Sequence, residues 1–212
     1  MKRFFLSVLV IAIFLMGWAR FQGTDDMPLN VDSVQDGDII FQTSRSAQST
    51  AIQLATHSRW SHMGIIFRQD GDWVVLEAVQ PVKITPMDAW IQRGEGAHFV
   101  VKRLRNASEV LDDSTKSAMQ QMGTQFLGKP YDIYFEWSDE RMYCSELVWK
   151  IYQRTTNIEL GKLQRLADFD LTHEEVQSVL NQRYGSDLPV NEYVISPEAM
   201  FNAEQLVLVV EG

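Results

Sequence analysis

Met142-Tyr143-Cys144-Ser145-Glu146-Leu147-Val148 contains the only cysteine in the 212 residues. Downstream, Cys144, Leu147, Val148 and Ile151 recur at i, i+3, i+4 and i+7, the spacing of one helical face. Upstream, Pro130, Ser138 and Asp139 interrupt any helical period. The pattern predicts a helix opening at or just before Cys144, with the cysteine heading its apolar stripe. Unpaired N–H groups in a first turn carry partial positive charge and favour a thiolate. A thiolate placed there suits nucleophilic attack. A lone cysteine is more often a packed thiol, so the chemical reading needs partners elsewhere in the chain.

Those partners lie in a predicted hairpin. Ser61 to Arg68 reads as a strand, Gln69-Asp70-Gly71-Asp72 as a tight Asp-Gly turn, and Trp73 to Val79 as the returning strand. With Asp70 and Gly71 as the loop, Gln69 faces Asp72 and His62 faces Val79. Glu77 is then the diagonal neighbour of His62 on the same sheet face, roughly 7–8 Å away at Cα. Met63, Ile65 and Phe67 turn to the opposite face with Val74, Leu76 and Ala78. A carboxylate inside Val-Val-Leu-Glu-Ala-Val is costly to bury without a partner, and His62 can supply one. Cysteine catalysis needs a thiolate, an imidazole within hydrogen-bond reach and a group that orients the imidazole. Cys144, His62 and Glu77 provide the three types. The backbone N–H of Cys144, unpaired in a first turn, is a candidate oxyanion donor.

Composition bounds the alternatives. The length suits one domain with embellishments. Six Trp, six Tyr and eleven Phe in a chain that is 45% hydrophobic can fill a sizeable core. A formal charge of −9 without a basic cluster argues against a nucleic-acid partner and against adhesion to anionic lipid. The four histidines, 57, 62, 98 and 173, are scattered, whereas zinc needs clustered ligands. His57 is the rival base, but it falls at the end of a helix over residues 47–57. There is no Gly-rich phosphate loop and no Gly-x-Ser-x-Gly elbow. The pattern calls for no metal and no cofactor, and it does not specify an oligomeric state.

Lys2 and Arg3 precede the uncharged apolar run Phe4 to Trp18, which is too short to span a bilayer comfortably. Gly17 and Ala19 place small residues at −3 and −1 of a cleavage point. Residues 1–19 are read as a secretory signal peptide, 20–35 as a linker and 36–212 as the functional domain. The expected location is the periplasm; an uncleaved inner-membrane anchor is the alternative. Exported cysteines usually pair as disulfides. A single thiol there fits chemistry better than packing.

The remaining segments predict strands at Ile39 to Phe41, Val82 to Thr85, His98 to Leu104 and Leu206 to Val210. Helices are expected over Ala47 to Thr56 (capped by Ser44 or Ser46), Pro86 to Arg93, Asp112 or Asp113 to Leu127, and from Ser196-Pro197-Glu198. Thr172-His173-Glu174-Glu175 reads as a capping box opening a helix to Tyr184, inside an insertion at about residues 158–190. The fold class is α+β, with helices packed on a mainly antiparallel sheet.

Gly37-Asp38-Ile39-Ile40-Phe41, Ser61-His62-Met63-Gly64-Ile65, Glu77-Ala78 and Tyr143-Cys144-Ser145-Glu146-Leu147-Val148, in this order, resemble the circularly permuted papain-like hydrolases of the NlpC/P60 superfamily, within it the YiiX-like group. The resemblance spans residues 36 to 210. It implies a permuted papain-like fold in which the His strand precedes the Cys helix, and a triad of Cys144, His62 and Glu77. The implied activity is cleavage of amide bonds, with cell-envelope peptides as candidate substrates. The alternative is a thioesterase or acyltransferase on lipid or acyl esters, which the aromatic loop Tyr131 to Trp137 motivates. A peptide, cell-wall or acyl substrate is the expected partner; a non-catalytic binding module with an inert Cys144 is the third reading.

Overall fold

The computed structural model describes residues 33–212. The expected signal peptide (residues 1–19) and residues 20–32 of the expected linker lie outside them. The chain runs β1 (Ile39–Gln42), α1 (Ala47–Thr56), β2 (His62–Gln69), β3 (Asp72–Glu77), β4 (Lys83–Pro86), α2 (Met87–Gln92), β5 (Phe99–Leu104), α3 (Ala107–Val110), α4 (Asp113–Phe126) and α5 (Cys144–Thr156). It continues through β6 (Gln164–Arg165), α6 (Glu174–Tyr184), β7 (Tyr193–Val194), α7 (Pro197–Phe201) and β8 (Leu206–Glu211). Six strands form one sheet in the order β4-β3-β2-β1-β5-β8, antiparallel at every pairing. This is the expected α+β arrangement.

The β2–β3 hairpin has the predicted register, with Gln69 opposite Asp72 and Ile65 opposite Leu76. Asp70 and Gly71 both take positive φ, 53° and 97°, as a two-residue turn of this hand requires. The alternation then sorts the side chains. Met63, Ile65, Phe67 and Leu76 face α5 and α4 in the larger core. Ile40, Ile66, Val75 and Val101 pack against Trp90 and Ile91 of α2 on the other face. Gly64 is required where the strands cross: a Cβ there would meet Val75 Cγ1 at 2.4 Å and the Leu76 carbonyl oxygen at 2.7 Å.

Two local expectations change. Thr172 does not cap α6, because its hydroxyl donates to Asp170 Oδ1 at 2.6 Å; His173 holds the N-cap position without a side-chain bond. The Asp170 turn outcompeted the helix for that hydroxyl. The two-residue ribbon β6–β7 and the single turn α3 are too short for a periodic pattern to reveal. The ribbon closes the insertion, and α6 packs along α1.

Candidate active site

Cys144 is the first residue of α5 and His62 the first residue of β2. The helix covers one face of the sheet while His62 stacks on Trp90 of the other layer, centroids 5.6 Å apart. The two meet at the strand end. Each neighbour of Cys144 in its motif has a fixing role. Ser145 Oγ donates to the Ile195 carbonyl at 2.7 Å, and Ile195 N donates to Tyr143 Oη at 3.2 Å, so the residues flanking the cysteine clamp one loop. Glu146 Oε2 accepts from Tyr143 N at 3.3 Å and closes the helix start. Burial pushes the Glu146 carboxyl up to about 8, against the opposing pull of Lys150, whose ammonium lies 2.6 Å from Oε1. Cys144 is buried and lies close enough to the His62 ring to raise its pKa.

Glu77 is fully buried and its Oε2 lies 2.7 Å from His62 Nε2, which leaves Nδ1 to face the sulfur. Arg93 Nη2 donates to both Glu77 oxygens at 2.6 Å, and Thr85 Oγ1 donates to Oε1 at 2.6 Å. Burial alone would raise this carboxyl. The hydrogen bond and charge of His62, then Arg93 and Thr85, instead lower it to about 2. Burial alone would likewise lower the imidazole, yet its bonds to Cys144 and Glu77 hold it at about 9. The arrangement favours imidazolium beside the sulfur over a wide pH range.

The structure therefore brings together the three residues the sequence singled out. Thr85 and Arg93 were missed as site residues. The β3–β4 register pairs Glu77 with Lys83 and Val75 with Thr85, so Thr85 is the diagonal neighbour of Glu77, a relation readable once β4 is placed beside β3. Arg93 follows α2 with no pattern that marks it. The rival base, His57, caps α1 in the left-handed region (φ 51°) and is exposed. It approaches Asp170 at 3.3 Å, and His173 approaches the same oxygen at 3.6 Å.

Two cavities flank the Cys144–His62 pair. One is apolar and has Cys144 in its wall with Ile52, Phe135, Phe169, Val176 and Leu180. The other, about 230 Å³, is polar and has His62 in its wall with Gln42, Ser44, Ser61 and Arg93. Tyr131 and Gln48 border both. Gln48 Nε2 donates to Tyr131 Oη at 2.7 Å, and Arg183 Nη2 of α6 donates to Gln48 Oε1 at 2.7 Å. The insertion thus reaches the surroundings of the Cys144–His62 pair through α6.

Residues 33–210 match the profile of the permuted papain-like amidase enzyme, YaeF/YiiX, C92 family. The chain is 47% identical over 175 residues to Escherichia coli (strain K12) YiiX, described as an uncharacterized protein, covering 82% of this chain and 85% of that one. A crystal structure described as metalloprotein yiiX from Escherichia coli O157:H7 superposes with a TM-score of 0.81 at 47% identity, covering 85% of this chain and 98% of the other. Among the described residues of this chain, no group of three or more His, Cys, Asp or Glu is placed to hold a metal ion. The chain belongs to the YaeF/YiiX family of permuted papain-like amidases and is a cysteine hydrolase of that type.

Proposed function

We propose that the chain cleaves an amide through Cys144 as nucleophile, His62 as proton carrier and Glu77 as the group that fixes the imidazole. The thiolate of Cys144 attacks the carbonyl carbon, and the carbonyl oxygen becomes an oxyanion. The unpaired N–H of Cys144 faces that charge. Tyr131 is the second donor: its oxygen accepts from Gln48, so its own proton stays available, and burial holds the phenol well above its usual value. His62 gives its Nδ1 proton to the leaving nitrogen as the C–N bond breaks, leaving an acyl-thioester on Cys144. Water then attacks the thioester, His62 takes its proton, and the thiolate departs.

The observation that carries this reading is the buried line from Cys144 through His62 to a Glu77 anchored by Arg93 and Thr85. Turnover of an N-acyl p-nitroanilide by wild type and Cys144→Ala tests it. Release should vanish in the variant; full turnover would sink the proposal. The apolar wall beside Cys144 favours a second element, an apolar acyl side, and with it ester or thioester substrates as the alternative to amides. Comparing rates on acyl chains of two and eight carbons decides whether that cavity is used. With residues 1–19 read as a signal peptide, the enzyme works outside the cytoplasm on envelope peptides or acyl amides. Fractionation of the full chain, with a mass measurement of its N-terminus, tests that placement.

A further inference from the structure

We infer that the polar cavity is the leaving-group subsite and that it takes an amine carrying an acidic group, anchored by Arg93. This rests on His62 as proton donor. The nitrogen that departs must receive its proton from His62, so it leaves on the side whose wall His62 forms. That side is the polar cavity; Cys144 lines only the apolar one.

Three observations fix the chemistry of the group it would hold. First, His62 aside, Arg93 is the one ionisable cation in the wall, and no carboxylate lines it. Arg93 Nη2 is occupied by Glu77. Its Nε and Nη1 have no partner among the described residues, and the side chain is 41% exposed. A guanidinium fork with free N–H groups matches a carboxylate or phosphate. Second, the rest of the wall is neutral and rich in hydrogen-bonding groups, with Gln42, Ser44, Ser61 and Gln48 on it; these can receive the polar N–H of a departing amine without opposing an acidic group. Third, the first turn of α1, which Ser46 caps, opens on the same space through Ser46 and Gln48 and adds partial positive charge. The substrate class is an amide with an apolar acyl half and an acidic amine half, such as an N-acyl amino acid or an N-acyl phosphoamine.

Calorimetry on the inert Cys144→Ala protein tests this without turnover. N-octanoylglycine is compared with N-octanoylglycinamide, and N-octanoylphosphoethanolamine with N-octanoylethanolamine. Within each pair only the acidic group differs, and the pair with the larger preference identifies carboxylate or phosphate. The acidic member should bind about tenfold tighter, as expected for a charge-assisted bond, and the preference should shrink in high salt. Arg93→Gln on the same background should bring the ratio close to one, while Arg93→Lys should keep part of it. A merely structural Arg93 would weaken both members of a pair equally. Equal affinity within both pairs, or a preference untouched by Arg93→Gln, overturns the inference. If the preference holds but wild type cleaves none of the four, the acid-binding role of Arg93 stands while the assignment of the cavity to the leaving group falls with the hydrolase reading.

Discussion

Glu77→Gln isolates the electrostatic core of the site with little change of shape. Glu77 is lowered from 4.5 to about 2, and His62 is raised from 6.5 to about 9. Each shift corresponds to about 3 kcal/mol at 1.36 kcal/mol per pH unit. The two describe one coupled interaction and do not add, and Arg93 and Cys144 share in them, so the variant should lose about 2–3 kcal/mol of stability at most. The sign differs at the two ends of the pH scale. The depressed carboxyl contributes stability that is present above 4.5 and lost as pH falls through about 2. The raised imidazole contributes stability that is present below 6.5 and lost as pH rises through about 9. Denaturant unfolding of both proteins from pH 2 to 10 should therefore show the widest gap between about pH 4.5 and 6.5, narrowing on either side. NMR titration of the His62 ring should show its midpoint falling by at least about one unit in Glu77→Gln, equivalent to about 1.4 kcal/mol. Turnover should fall by about 10²-fold or more, since the imidazole loses the group that fixes its tautomer. An unchanged His62 midpoint with an unchanged unfolding profile would refute the reasoning.

Four further outcomes follow from the same contacts. Tyr131→Phe should lower kcat by about 10²-fold, the usual loss for one oxyanion donor, while leaving iodoacetamide alkylation of Cys144 unchanged, because that reaction forms no oxyanion; equal losses in both would assign Tyr131 a structural role. Gly64→Ala forces a Cβ against the Leu76 carbonyl at 2.7 Å and should cost about 1–3 kcal/mol by chemical denaturation. Lys150→Met removes the ammonium beside the buried Glu146 carboxyl, which burial already holds up at about 8; it should cost about 1–3 kcal/mol at neutral pH, where the carboxyl stays protonated, and more as pH rises past 8 and the stranded group must ionise. Leu180→Arg places a charge in the apolar wall and should raise KM for an eight-carbon acyl substrate by about tenfold or more while sparing a two-carbon one; parallel losses on both would show that the cavity does not hold the acyl chain.

The hairpin was legible because a side-chain period of two leaves no slack. Once Asp70-Gly71 is the turn, Glu77 must fall beside His62, and the 2.7 Å contact between them follows. The Cys144 helix was legible from its apolar stripe and from the breakers before it. What joins them was not. The packing of α5 on β2 is a contact between segments 82 residues apart, and no local pattern encodes it. Arg93 was invisible for a related reason: it is a single charged residue after a short helix, and its partner lies on a strand two elements earlier. The scattered histidines also misled in part. His57 and His173 converge on Asp170 only because α6 folds back along α1, and a Thr172 hydroxyl read as a helix cap holds that aspartate instead. The insertion carried no catalytic motif, yet through Arg183 and Gln48 it reaches the Tyr131 hydroxyl beside Cys144.

The most direct measurement is intact-protein mass spectrometry during turnover of an N-octanoyl p-nitroanilide. A transient mass gain of one octanoyl group is expected, mapping to the peptide that contains Cys144 and absent from Cys144→Ala. Product release without any adduct, at a rate the variant matches, would contradict it.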